Sequence, residues 1–115
     1  MAGQLNASRL YFKERMSLEP EFRDWQQVLT LLERAFAQGN HELLLEAMLT
    51  SDEKEALITR ANILTELLKG QMSQRQVSQL LGVGVATITR GSNALKAKSE
   101  QQKKDIAELL LSRPK

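Results

Sequence analysis

The sequence contains no cysteine among its 115 residues, so it offers no disulfide framework and no thiolate chemistry, and it suits a reducing compartment. It has a single histidine, His41, which without a thiol beside it leaves no ligand set for structural zinc. Proline is confined to Pro20 and Pro114, leaving residues 21–113 free of helix breakers. β-Branched aliphatics are scarce: four Val and four Ile stand against twenty Leu, a balance that fits helices rather than strands. No apolar run approaches the ~20 residues of a membrane span, and no signal-peptide pattern opens the chain. What is present, 42% hydrophobic residues in a chain of one-domain length, is enough to fold. The expectation is an all-α, cytoplasmic protein with no membrane contact.

Acidic residues are also missing from one long window. The net charge is only +2, yet the thirty residues from Lys69 to Lys98 contain no Asp or Glu. They carry Lys69, Arg75, Arg90, Lys96 and Lys98, a local charge of +5, while the remaining 85 residues sum to −3. A basic window in an otherwise acidic chain is the footprint of a polyanion site. Five charges in thirty residues also fit a plain solvated face, and charge alone leaves both readings open.

The periodicity predicts a polar, mobile arm over 1–20 and a single helical domain over 21–115 with six helices. The first spans about Glu21 to Gln38, with Trp25 and Phe36 read as core and Gly39-Asn40 as its stop. The second, His41 to Met48, is apolar almost all the way round. The third starts at Thr50 or Ser51, where Thr50 and Glu53 fit a capping box, and closes at Lys69-Gly70, with a stripe of Ala56, Leu57, Ala61, Leu64 and Leu68. The fourth opens with a second capping box, Ser73 and Gln76, and ends at Leu81. The fifth runs from about Val85 to Ala97 and the sixth from about Glu100 to Leu111.

The segment Ser73-Gln-Arg-Gln-Val-Ser-Gln-Leu-Leu-Gly82-Val-Gly-Val-Ala-Thr-Ile-Thr-Arg90 has the form of a helix-turn-helix, over about 74–97. Two short helices meeting at a steep angle need a turn residue that tolerates left-handed dihedrals, and Gly82 supplies it. Close approach asks for a small residue one turn earlier, where Ser78 stands. Val77, Leu81, Val85 and Ile88 are expected to face inward. Ala86, Thr87, Thr89, Arg90, Asn93 and Lys96 are left outside, where small, polar and basic groups suit a DNA major groove. An ordinary helical hairpin has the same spacing. The acid-free window favours DNA.

These residues resemble the bacterial tryptophan repressor family. The likeness runs from about Trp25 to Leu111 and is densest at Met48-Leu-Thr, Asp52-Glu-Lys-Glu-Ala-Leu, Met72-Ser-Gln-Arg and Ala86-Thr-Ile-Thr-Arg-Gly-Ser-Asn. That family is itself a standard example of the helix-turn-helix. The resemblance implies an intertwined homodimer that takes L-tryptophan as co-repressor and then binds operator DNA of tryptophan-biosynthesis genes, with no other cofactor. It places the indole between the guanidinium planes of Arg60 and Arg90, and the carboxylate on Arg90 and Thr50. Backbone carbonyls near Ala47 and Leu49 are implied for the ammonium, with Ile63, Thr87 and Gly91 lining the pocket. DNA contacts are implied for Lys69, Gln74, Arg75, Gly84, Val85, Ala86, Thr87, Thr89, Arg90 and Lys96. The chain departs from the family pattern at Ala94, where a serine is frequent, at Ser78 in place of a lysine, at Ser51 in place of a proline and at Ile58 in place of a glycine.

Read without the resemblance, Arg60 is a surface arginine paired with a carboxylate and Thr50 a plain helix cap. His41 beside Glu42 finds no partner for acid-base catalysis, and Gly82-x-Gly84 lacks the lysine and strand of a phosphate loop. No catalytic set is present, so the chain is not expected to be an enzyme. Two other readings stay open: a helical protein-interaction adaptor that never meets DNA, and a helix-turn-helix regulator with a different ligand.

Overall fold

A computed structural model describes residues 19–112, and the expected N-terminal arm lies almost entirely outside the described residues. Among the described residues there are six helices and no strand: α1 Trp25–Gln38, α2 His41–Met48, α3 Ser51–Lys69, α4 Gln74–Leu81, α5 Val85–Lys96 and α6 Glu100–Leu111. None of these helices is long and apolar enough to cross a membrane. The chain divides into two compact units, one ending at Met48 and one beginning at Leu49.

Local chemistry sets the helix ends. Four helices start with a reciprocal capping box, in which a cap side chain accepts from the third backbone N–H and the third side chain accepts from the cap's own N–H. The pairs are Asp24 with Gln27, Thr50 with Glu53, Ser73 with Gln76, and Ser99 with Gln102. The Asp24 box starts α1 at Trp25, four residues after the Glu21 expected from periodicity. Thr50 and Ser73 cap as the sequence predicts, through bonds of 3.1 Å to Glu53 N and Gln76 N. At Gly82 the backbone turns left-handed (φ +67°) and ends α4, which opens the three-residue turn to α5.

In the first unit α1 packs on α2, and the Phe36 ring stacks on His41 with centroids 4.3 Å apart. Among the described residues of that unit only Ala35 is buried. Trp25 and Phe36, expected as core, are 68% and 58% exposed in the single chain. No residue of α2 is buried, and Leu43 is 71% exposed. An 8-residue helix with apolar groups on every face leaves some of them bare against one neighbour.

In the second unit α3 is the spine, packing against α4, α5 and α6, while α4 packs on α5. The core centres on Ile63, Val77 and Ile88, with Leu67, Met72, Leu81 and Val83 against it. Val77 and Ile88 thus face inward as the helix-turn-helix spacing requires. Val85 does not, being 47% exposed at the first position of α5. On α3 the buried residue is Ile63, while Leu57 of the expected stripe is exposed.

Candidate functional site

A cleft of about 670 Å³ opens between α3 and α5. From α3 it is lined by Ala56, Thr59, Arg60, Ile63 and Leu64, and from α5 by Thr87, Arg90, Gly91 and Ala94. Each set is one helical face, with spacings of three, four and seven residues. The lining is mostly apolar, with two guanidinium groups contributed by separate helices. Arg60 makes no ion pair among the described residues. Its planar cation is therefore not committed to a carboxylate. Arg90 Nη2 lies 3.5 Å from the Thr87 hydroxyl, a bond at the limit of hydrogen-bond length.

Gly91 explains how the two helices come close enough to form this cleft. A Cβ at that position would sit 2.8 Å from Ile63 Cγ2 and 3.8 Å from Leu67 Cδ1. Ile63 is almost fully buried and β-branched, so it has little room to yield. A helix-interior glycine is normally a cost, and here it allows the contact that forms the floor of the cleft.

Of the residues implied for the ligand, Arg60, Ile63, Thr87, Arg90 and Gly91 come together in this one cleft. Thr50 and Leu49 do not line it. Thr50 is the N-cap of α3, immediately before the helix's first residue, and its hydroxyl accepts the Glu53 N–H. Ala47 belongs to the first unit, where it lines a groove between α1 and α2. Ala56, Thr59 and Leu64 escaped sequence reading as site residues. Ala56 and Leu64 belong to the expected apolar stripe, and the signal that finds all three is their helical register with Arg60 and Ile63.

The residues implied for DNA fall on α4, α5 and the ends of their neighbours. Arg75, Val85, Ala86, Arg90 and Lys96 are exposed. Lys69 is exposed at the end of α3 and pairs with Glu66 at 3.4 Å. Gln74 and Thr89 are half-buried and tied to each other: the Thr89 hydroxyl lies 3.0 Å from Gln74 Oε1 and also 3.0 Å from the Val85 carbonyl. Its one proton serves one acceptor at a time. Gly84 is the N-cap of α5 and has no side chain to cap it, and the first turn holds no acidic residue. That helix end therefore keeps its partial positive charge facing outward.

Comparison with known proteins places this arrangement. Residues 23–110 match the family model described as Trp repressor protein. A "Trp operon repressor homolog" of Vibrio atlanticus (strain LGP32) is 62% identical over 96 residues, covering 84% of this chain and 98% of that protein. Another so named, from Vibrio cholerae serotype O1 (strain ATCC 39315 / El Tor Inaba N16961), is 56% identical over 99 residues, 86% of this chain and 96% of its own. A third, from Aliivibrio fischeri (strain MJ11), is 56% identical over 95 residues, 83% of this chain and 88% of its own. The family match spans both compact units, the two-arginine cleft and the α4–α5 pair, and the chain belongs to the Trp repressor family.

Proposed function

We propose that the chain is an L-tryptophan-activated transcriptional repressor, not an enzyme, which binds operator DNA of tryptophan-biosynthesis genes as a homodimer in the cytoplasm. The single observation that carries this reading is the cleft between α3 and α5, which brings Arg60 and Arg90 onto its two walls. A guanidinium plane stacks on an aromatic face and forks onto a carboxylate, and tryptophan carries both groups. The apolar groups of Ile63, Leu64 and Ala56 suit the indole edge. Ala94 presents a methyl where a serine hydroxyl is frequent in the family, so the ligand ammonium has one fewer partner on α5 here.

Thr50 stands six residues before Ala56, about 9 Å along the helix axis. This distance supports a site completed by a second copy, whose own Thr50 and Leu49 reach the ligand. The α4–α5 pair then acts as a helix-turn-helix. Arg75 and Lys96 meet phosphates, the uncapped start of α5 at Gly84 faces a phosphate oxygen, and Ala86 and Thr87 approach base edges. A ligand wedged between α3 and α5 sets the angle at which α5 is presented, and this is the gate.

Calorimetric titration with L-tryptophan, followed by operator binding with and without it, tests the whole reading. The expected result is saturable binding of L-tryptophan and an operator affinity that rises with it. Operator affinity indifferent to tryptophan would leave a DNA-binding protein with another ligand. No salt-sensitive retention on DNA at all would favour a protein-interaction adaptor.

A further inference from the structure

The Ser78 side chain has a partner that its place as a small residue did not require. Its hydroxyl donates to the Val83 carbonyl, five residues on and across the turn between α4 and α5. The Val83 N–H in turn donates to the Ser78 carbonyl at 3.2 Å, and the Gly82 N–H reaches the same carbonyl at 2.9 Å. Ser78 and Val83 thus hold each other by two bonds of opposite direction. The Val83 side chain packs against the Ile63, Val77 and Ile88 core. The middle residue of the turn is therefore fixed on three sides, by its amide, its carbonyl and its side chain. The next residue is Gly84, the cap from which α5 departs.

We propose that Ser78 is a positioning residue for DNA reading: its hydroxyl holds the turn so that the start of α5 is presented in one orientation. This rests on the repressor reading above, because only DNA binding gives that orientation a consequence. The serine turns its donor inward, onto the turn and not toward a ligand. A site held in its bound geometry before contact loses less freedom on binding, so removing the hydroxyl weakens operator affinity although no DNA contact is deleted.

The test compares Ser78→Ala, which deletes the hydroxyl, with Ser78→Thr, which keeps it. Amide hydrogen exchange is followed in the free protein, and L-tryptophan affinity, operator affinity and its salt slope are measured alongside. For Ser78→Ala the expected results are faster exchange at Gly82 and Val83, whose amides bond to the Ser78 carbonyl, operator affinity lower by about three- to tenfold, unchanged tryptophan affinity and an unchanged salt slope. Ser78→Thr should restore slow exchange and operator affinity. Unchanged exchange in Ser78→Ala overturns the proposal, and together with a fall in affinity it assigns the hydroxyl to a direct DNA contact. Unchanged affinity in a variant with faster exchange also overturns it. If wild-type protein fails to bind operator, the repressor reading falls, while the exchange comparison still decides whether Ser78 holds the turn.

Discussion

A single missing methyl decides whether α3 and α5 can meet. Gly91→Ala places a carbon 2.8 Å from Ile63 Cγ2, closer than a real Cβ approaches a neighbour. Overpacking of this kind costs about 1–3 kcal/mol, against about 1 kcal/mol gained from the better helix propensity of alanine. The expected outcome is a lower melting temperature with weakened tryptophan binding, read by thermal melts and titration. A more stable variant with unaltered ligand affinity would overturn the account of the cleft floor. The two arginines separate differently. Arg60→Ala should weaken tryptophan binding while leaving apo-protein affinity for nonspecific DNA near wild type. Arg90→Ala should damage both ligand and operator binding, with ligand affinity down by roughly tenfold or more from the lost charge-assisted contact. Titration of each variant with ligand and with DNA distinguishes these outcomes.

At the scale of elements, α4 and α5 are tied to each other and to α3, and their outward faces are basic or neutral. Arg75→Ala and Lys96→Ala should weaken operator binding, leave the fold and tryptophan affinity intact, and each lower the salt slope by about 2, one contact from each copy of the proposed dimer. Unchanged salt dependence in both variants would place these residues away from the duplex. The helix boundaries themselves were legible because caps are local signals: Thr50, Ser73 and Gly82 announce them within four residues. The start of α1 differs from the expected Glu21 because the Asp24–Gln27 box, which periodicity does not register, sets it at Trp25. The candidate cleft was legible only through family resemblance. Nothing in Arg60's neighbours along the chain says that Arg90, thirty residues later, lines the same space. At Ser78 the sequence shows a small residue but not its hydroxyl's partner, which depends on how the turn closes.

For the whole molecule, burial in one chain is thin. Five apolar residues are buried among those described, while Trp25, Phe36, Leu43, Leu57, Ile58 and Leu109 are half or more exposed. This is why Trp25 and Phe36 read as core from sequence and lie bare in a single chain. A residue's type records that it must be covered and not which copy covers it. Covering each large apolar side chain is worth about 1.5–3 kcal/mol, which is the gain the proposed second copy would supply. Sedimentation at micromolar concentration should show a homodimer and no folded monomer, and the melting temperature should rise with protein concentration. A folded monomer would refute it.

The four capping boxes have a kinetic consequence for that assembly. A helix whose start is written in four adjacent residues needs no distant contact to choose its register, and helix–coil exchange takes about 0.1–1 µs. In the proposed homodimer each chain would bring α1, α3, α4 and α6 with their starts specified by these local pairs. Encounter between chains would then be the slow step. Refolding from denaturant should show a fast helical phase whose rate ignores concentration, then a slower second-order phase that restores tryptophan binding. In a growing cell, the supply of active repressor would then follow the square of the concentration of newly made chains.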